Sequence, residues 1–204
     1  MLRSASIVIA LATFLLAVPT PGNGQALTAR ALVTLYGDNT EFFTPFRTGE
    51  TIFGGQLSAW LDIEAGEHTT VLAGVFGDRR WGSGEFADEV KPILSFRWRK
   101  GTSEGILGTL RTERRHGLLE PLAVTTLELT RPIEYGAQWI ERRRTWDAEA
   151  FLDWTALNTE EQREAFNYGL IARVPPHRLV TLEGPLHGLH RGGQCGVAGD
   201  GLEI

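Results

Sequence analysis

The chain has 204 residues, a length that suits one domain. Its formal net charge of -5 comes from 20 basic and 25 acidic residues that are interspersed, so nothing points to a nucleic-acid partner. Cys195 is the only cysteine, which excludes a disulfide framework and a four-cysteine zinc site.

In chain order, the N-terminus reads first as an export leader. Arg3 supplies positive charge, Ile7 to Val18 an apolar core, and Gly24-Gln25-Ala26 small residues at the positions a signal peptidase inspects. The apolar run is too short for a transmembrane helix. Residues 1–26 are therefore predicted to be a signal peptide with a helical core. No long apolar run follows, so a mature chain seated in a membrane must cross it as strands.

Ala31 to Gly37 is the first strand candidate, and Thr40 to Phe53 reads as a loop. Gln56 to Ala65 alternates, with Leu61 and Ile63 on one face and Asp62 and Glu64 on the other. Gly66-Glu67 turns the chain into Thr69 to Asp78. Arg79 to Lys91 is a second long loop. Ile93 to Lys100 sets Leu94, Phe96 and Trp98 against Ser95, Arg97 and Arg99, and Gly101-Thr102 turns into a strand ending at Arg111. His116 to Pro132 has no clean period, with Thr125 to Thr130 a candidate extension of the strand that follows. In that strand Tyr135 and Trp139 oppose Glu134 and Gln138.

Trp146 to Trp154 gives the clearest pattern. Trp146, Ala148, Ala150, Leu152 and Trp154 share one face, while Asp147, Glu149, Phe151 and Asp153 share the other. The two tryptophans stand roughly 26 Å apart along an extended strand, or about 20 Å along a membrane normal after a ~40° tilt. Such a strand can cross a bilayer with an aromatic ring at each interface. Thr159 and Gln162 suit the cap of a single helical turn. Ala165 to Val174 then sets Tyr168 against Asn167 and Arg173, and Arg178 to Glu183 begins another strand.

Long and short connections alternate along the whole chain. Transmembrane barrels have this rhythm because their turns are short on one side of the membrane and their loops long on the other. Together with the phrases Gly74-Val75-Phe76-Gly77-Asp78-Arg79, Val90-Lys91-Pro92-Ile93-Leu94-Ser95-Phe96 and Glu134-Tyr135-Gly136, this pattern resembles a Gram-negative outer-membrane β-barrel of the porin-like kind, over roughly Ala31 to Glu183. The resemblance implies an all-β, antiparallel, up-and-down transmembrane barrel of about eight or nine strands over residues 27–187, followed by an irregular Gly-rich tail over residues 188–204. It carries over no catalytic residues and implies a porin-like channel or structural barrel in the outer membrane, with no cofactor and with outer-membrane lipid as its surroundings.

On this reading the lumen is lined by Asp62, Glu64, Arg97, Arg99, Arg111, Glu134, Gln138, Asp147, Glu149, Asp153, Asn167 and Arg173. The lipid face carries Leu61, Ile63, Leu94, Phe96, Trp98, Tyr135, Trp139, Trp146, Leu152, Trp154 and Tyr168. The competing reading is a periplasmic or secreted β-sandwich that binds or cleaves carbohydrate, because period two alone does not say whether the polar face looks into a lumen or out to solvent. In that reading Asp147, Glu149 and Asp153 supply an acid and a base.

Other clusters carry less. His116 and Glu120 share a metal only on a helix, and Pro121 follows with no third ligand. His187, His190 and Cys195 match no zinc spacing. Gly82-Ser83-Gly84 lacks the helix and Lys-Ser/Thr pair of a phosphate loop. Arg142 to Arg144 reads as a solvated turn near anionic headgroups. The odd strand count, the fading alternation after Glu183 and an ending without an aromatic strand predict an N-terminal part of a larger barrel, completed by further strands or by self-association.

Overall fold

The computed structural model describes residues 7–16, 26–40, 50–119, 127–177 and 180–192. Ten strands are found among them, each antiparallel to its neighbours and ordered as in the sequence: β1 (Ile7–Leu16), β2 (Leu27–Thr40), β3 (Glu50–Gly66), β4 (Thr69–Arg80), β5 (Glu89–Lys100), β6 (Ser103–Thr109), β7 (Tyr135–Arg142), β8 (Asp147–Ala156), β9 (Glu164–His177) and β10 (Val180–Gly192). Strands β2–β10 are the nine antiparallel up-and-down strands of an all-β fold. β1 falls in the segment read as the leader. There the backbone is extended and pairs with β2, Ile7 opposite Gly37, where a helix was predicted. Among the described residues no helix is long and apolar enough to cross a membrane.

The chain divides into two compact units, Met1–Leu94 and Ser95–Ile204. In the first, β2 pairs with β3 and β3 with β4 over long registers. In the second, the end of β5 pairs with β6, and pairing then runs stepwise to β10. The β5–β6 hairpin turns on Gly101, whose φ of +61° is open to glycine without a Cβ penalty.

Strands run longer than the alternation indicates. β3 starts inside the predicted Thr40–Phe53 loop, and β5 starts inside the Arg79–Lys91 loop. β10 continues past Glu183 to Gly192, with His187 opposite Gly169 and Gly192 opposite Glu164. Backbone pairing needs no side-chain alternation, so a long partner carries a strand beyond its patterned part. Leu127–Thr130 is a single helical turn rather than an extension of β7. At Thr159 the predicted helical turn is a capped bend, with the Thr159 hydroxyl accepting from the Glu161 and Gln162 amides.

Burial separates the two parities. Leu94, Phe96, Trp139, Trp154 and Tyr168 are exposed, whereas Gln138 and Asp153 of the polar parity are buried. Large apolar side chains are buried as well. Leu118, Phe151 and Ile171 form one cluster, and Ile106, Leu110 and Ile140 another. Strand faces of this kind hold a mixed apolar and ionic interior.

Candidate functional site

The segment between β6 and β7 has no period of two and brings a histidine onto the polar face. Glu113–Gly117 is a 3-10 turn. Its last three residues are left-handed, with φ of +49° at Arg115, +58° at His116 and +74° at Gly117. Two of them are not glycine. Left-handed backbone at such residues costs of order 1–3 kcal/mol each and persists only where the surroundings hold it. Here the turn is closed by the Arg115 amide donating to the Thr112 carbonyl at 2.9 Å and the Leu118 amide to the Arg115 carbonyl at 3.0 Å.

The result is a buried imidazole gripped by two carboxylates. His116 is 3 % exposed. Its Nδ1–H donates to Glu149 Oε1 at 2.6 Å, and its Nε2–H donates to Glu134 Oε2 at 2.8 Å. The Phe151 ring lies flat against it, 3.9 Å between centroids and 10° between planes. Gln138 braces the assembly from β7. Its Nε2 donates to Glu149 Oε1 at 2.7 Å and to the Arg111 carbonyl at 3.0 Å, and its Oε1 accepts the Arg111 amide at 2.9 Å. Gln138 Nε2 also comes within 3.2 Å of His116 Nδ1, a contact that carries no hydrogen bond when the ring is protonated, since both nitrogens are then donors. Burial by itself pulls the His116 pKa down. The hydrogen bonds and charges of Glu134 and Glu149 outweigh it and push the pKa from 6.5 up to about 9. At neutral pH the site therefore holds an imidazolium.

A cavity of about 540 Å³ opens beside this group. It is lined by the charged side chains of His116, Glu134, Arg115 and Arg131 together with the apolar ones of Leu118, Leu127 and Phe151. Asp153 is 1 % exposed at its edge. It accepts from the Arg131 guanidinium, from Asn167 Nδ2 at 3.4 Å and from the Tyr135 amide at 3.4 Å, so the buried carboxylate is satisfied. Arg115 pairs with Glu128 at 3.5 Å. Among the described residues no group of three His, Cys, Asp or Glu side chains is placed to hold a metal ion.

Several residues read as lumen-lining meet in this network: Glu134, Gln138, Glu149, Asp153 and Asn167 at the site, with Arg111 bound to Gln138. Asp147 and Arg173 pair with each other nearby at 3.1 Å. The others lie elsewhere. Asp62 pairs with Arg30, Arg99 shares Glu104 with Arg111, Arg97 donates to Ser95, and Glu64 is exposed. Of the residues read as lipid-facing, Leu61, Leu94, Phe96, Trp139, Trp146, Trp154 and Tyr168 are exposed, and Ile63, Trp98, Tyr135 and Leu152 are half-buried. Trp98 stacks on Trp139 at 5.9 Å. The sequence reading missed His116 and Arg131 as site residues, because both lie where alternation is lost. A histidine and acidic residues on separate strands give no spacing signal. Glu120 and Cys195, weighed as ligands, lie outside the described residues.

A family model described as "Lipid A 3'-O-deacylase-type" matches residues 20–202. The chain belongs to this family. Neither curated proteins nor solved structures gave a match. Membership in a deacylase-type family overturns two expectations at once, that the chain is a porin-like channel or structural barrel without catalytic chemistry and that it is not an enzyme. It gives no support to transport, nor to a carbohydrate-binding or carbohydrate-cleaving sandwich. The porin resemblance erred for a physical reason. Alternating strands and alternating connections report extended, antiparallel strands, and they are the same whether the polar face passes solutes or holds a reacting site.

Proposed function

We propose that this chain is an outer-membrane ester hydrolase that removes an O-linked acyl chain from lipid A, with the His116–Glu134 pair as its catalytic centre. The observation that carries the reading is that ion pair, opening on a cavity lined by both charged and apolar side chains, in a chain of the deacylase-type family. Lipid A joins a phosphorylated sugar headgroup to acyl chains, and the cavity lining holds both charged and apolar side chains. The exposed apolar parity of β2–β9 suits hydrocarbon, and residues 1–26 suit an export leader.

Ester hydrolysis needs a base to activate water and an acid to protonate the leaving sugar oxygen. The pair supplies both. The Glu134 carboxylate takes a proton from water, whose oxygen attacks the ester carbonyl. When the tetrahedral intermediate collapses, the bond between the carbonyl carbon and the sugar oxygen breaks, and His116 gives its Nε2 proton to that oxygen. Proton return from Glu134 to Nε2 restores the resting state, and the products are a sugar hydroxyl and a fatty acid. A pKa near 9 keeps the ring in its acid form at neutral pH, as this role requires. Glu149, through Nδ1, holds the ring plane.

The test is direct. Purified chain is incubated with lipid A in mixed micelles, and the lipid is weighed by mass spectrometry. Loss of one acyl group is expected with the wild type, and a loss of rate of about 100-fold or more with H116N or E134Q. Intact lipid A after incubation with folded wild-type protein refutes the reading, as does full activity in H116N.

A further inference from the structure

His116 reaches its place through three successive left-handed residues, a backbone that does not hold itself. What holds it comes from β9, far along the chain. Arg173 lies directly opposite Asp147 of β8 and Glu183 of β10 in the strand registers. Each nitrogen of its guanidinium has an acceptor. Nε donates to Glu183 Oε1 at 2.7 Å, Nη1 to Asp147 Oδ2 at 3.1 Å, and Nη2 to the carbonyl of Gly117 at 3.2 Å. The first two bonds fix the fork on the sheet, and the third reaches the residue next to His116. A Cβ placed on Gly117 would run into the Arg173 guanidinium, which would have to swing away from the turn, and the φ of +74° itself favours glycine.

We propose that Arg173 is the positioning residue for His116: its guanidinium holds the Gly117 carbonyl and so fixes the left-handed turn that aims the imidazole between Glu134 and Glu149. Arg173 touches neither the ring nor the cavity, and it acts on the reaction only through the turn. The consequence for catalysis rests on the function proposed above, but the effect on the imidazole does not. The fork geometry matters more than the charge. A lysine ammonium is a point donor on a flexible stem and does not span acceptors on β8, on β10 and on the turn at once.

The test is R173K, which keeps the charge and loses the fork. The protein is labelled at histidine nitrogens, folded in detergent and titrated by NMR, with H116N assigning the His116 signal. In the wild type the ring is expected to titrate near 9. In R173K its midpoint is expected to fall by at least about one unit as the ring loses its two carboxylates. With lipid A as substrate, kcat is expected to drop about 10- to 100-fold while KM stays within about twofold, as misplacement of a reacting group predicts. If Arg173 acted only as a charge, R173K would leave the midpoint unmoved. An unmoved midpoint in folded R173K overturns the proposal. Should R173K fail to fold, G117A decides, since it displaces the fork while leaving every charge in place. A His116 midpoint near 9 in G117A likewise overturns the proposal. Absence of deacylation in the wild type would count against the proposed function, while the titration would still judge the role of Arg173.

Discussion

Raising the pH should strip this protein of a specific part of its stability. The His116 pKa is about 9 in the folded chain, against 6.5 for a free histidine. A raised folded pKa means that the stabilisation is fully present below the unfolded value and is lost as pH rises through the folded one. The difference is worth on the order of 3 kcal/mol at about pH 5, roughly 1 kcal/mol at about pH 8 and close to zero above about pH 10. Exposure of the ring is only 3 %, so solvent screening takes little from these figures. The assay is urea unfolding in detergent or lipid at several pH values, comparing wild type with H116N. The variant carries every other titrating group, so the difference between the two curves isolates His116. That difference should narrow steadily from about pH 6.5 to about pH 9.5. A wild type and variant whose unfolding midpoints shift in parallel with pH would refute the assignment of an imidazolium held by Glu134 and Glu149.

Other outcomes follow from the same geometry. E149Q removes the charge at Nδ1 and leaves a hydrogen-bond acceptor, so the His116 titration midpoint should fall while Glu134 still holds Nε2, which NMR of labelled histidine would read. F151A deletes a buried ring that stacks on His116 and joins Leu118 and Ile171, and should cost about 3–5 kcal/mol in unfolding measurements. L152R places a charge on the opposite face of the same strand and should cost about 2–4 kcal/mol if that face meets the middle of the hydrocarbon. An unchanged unfolding midpoint in lipid would place Leu152 elsewhere.

The strands were written in the sequence. Period two in stretches such as Ile93–Lys100 and Trp146–Trp154 reports local geometry, because successive side chains of an extended chain point to opposite faces. The same alternation assigned Glu134, Gln138, Glu149 and Asp153 to one face before any partner was known. Strand ends were less legible. β3 and β10 extend past their patterned parts because pairing with a neighbour, which period two does not encode, carries them on. The site itself was decided by tertiary structure. His116 sits in a segment without periodicity, and its partners stand 18 and 33 residues away, just before β7 and on β8. Its position depends on an unfavourable left-handed backbone that a distant side chain stabilises, that of Arg173, 56 residues beyond Gly117. Parity says which residues share a face, but only strand register and the path of the intervening loop bring an acid, a base and a cavity to one point on it.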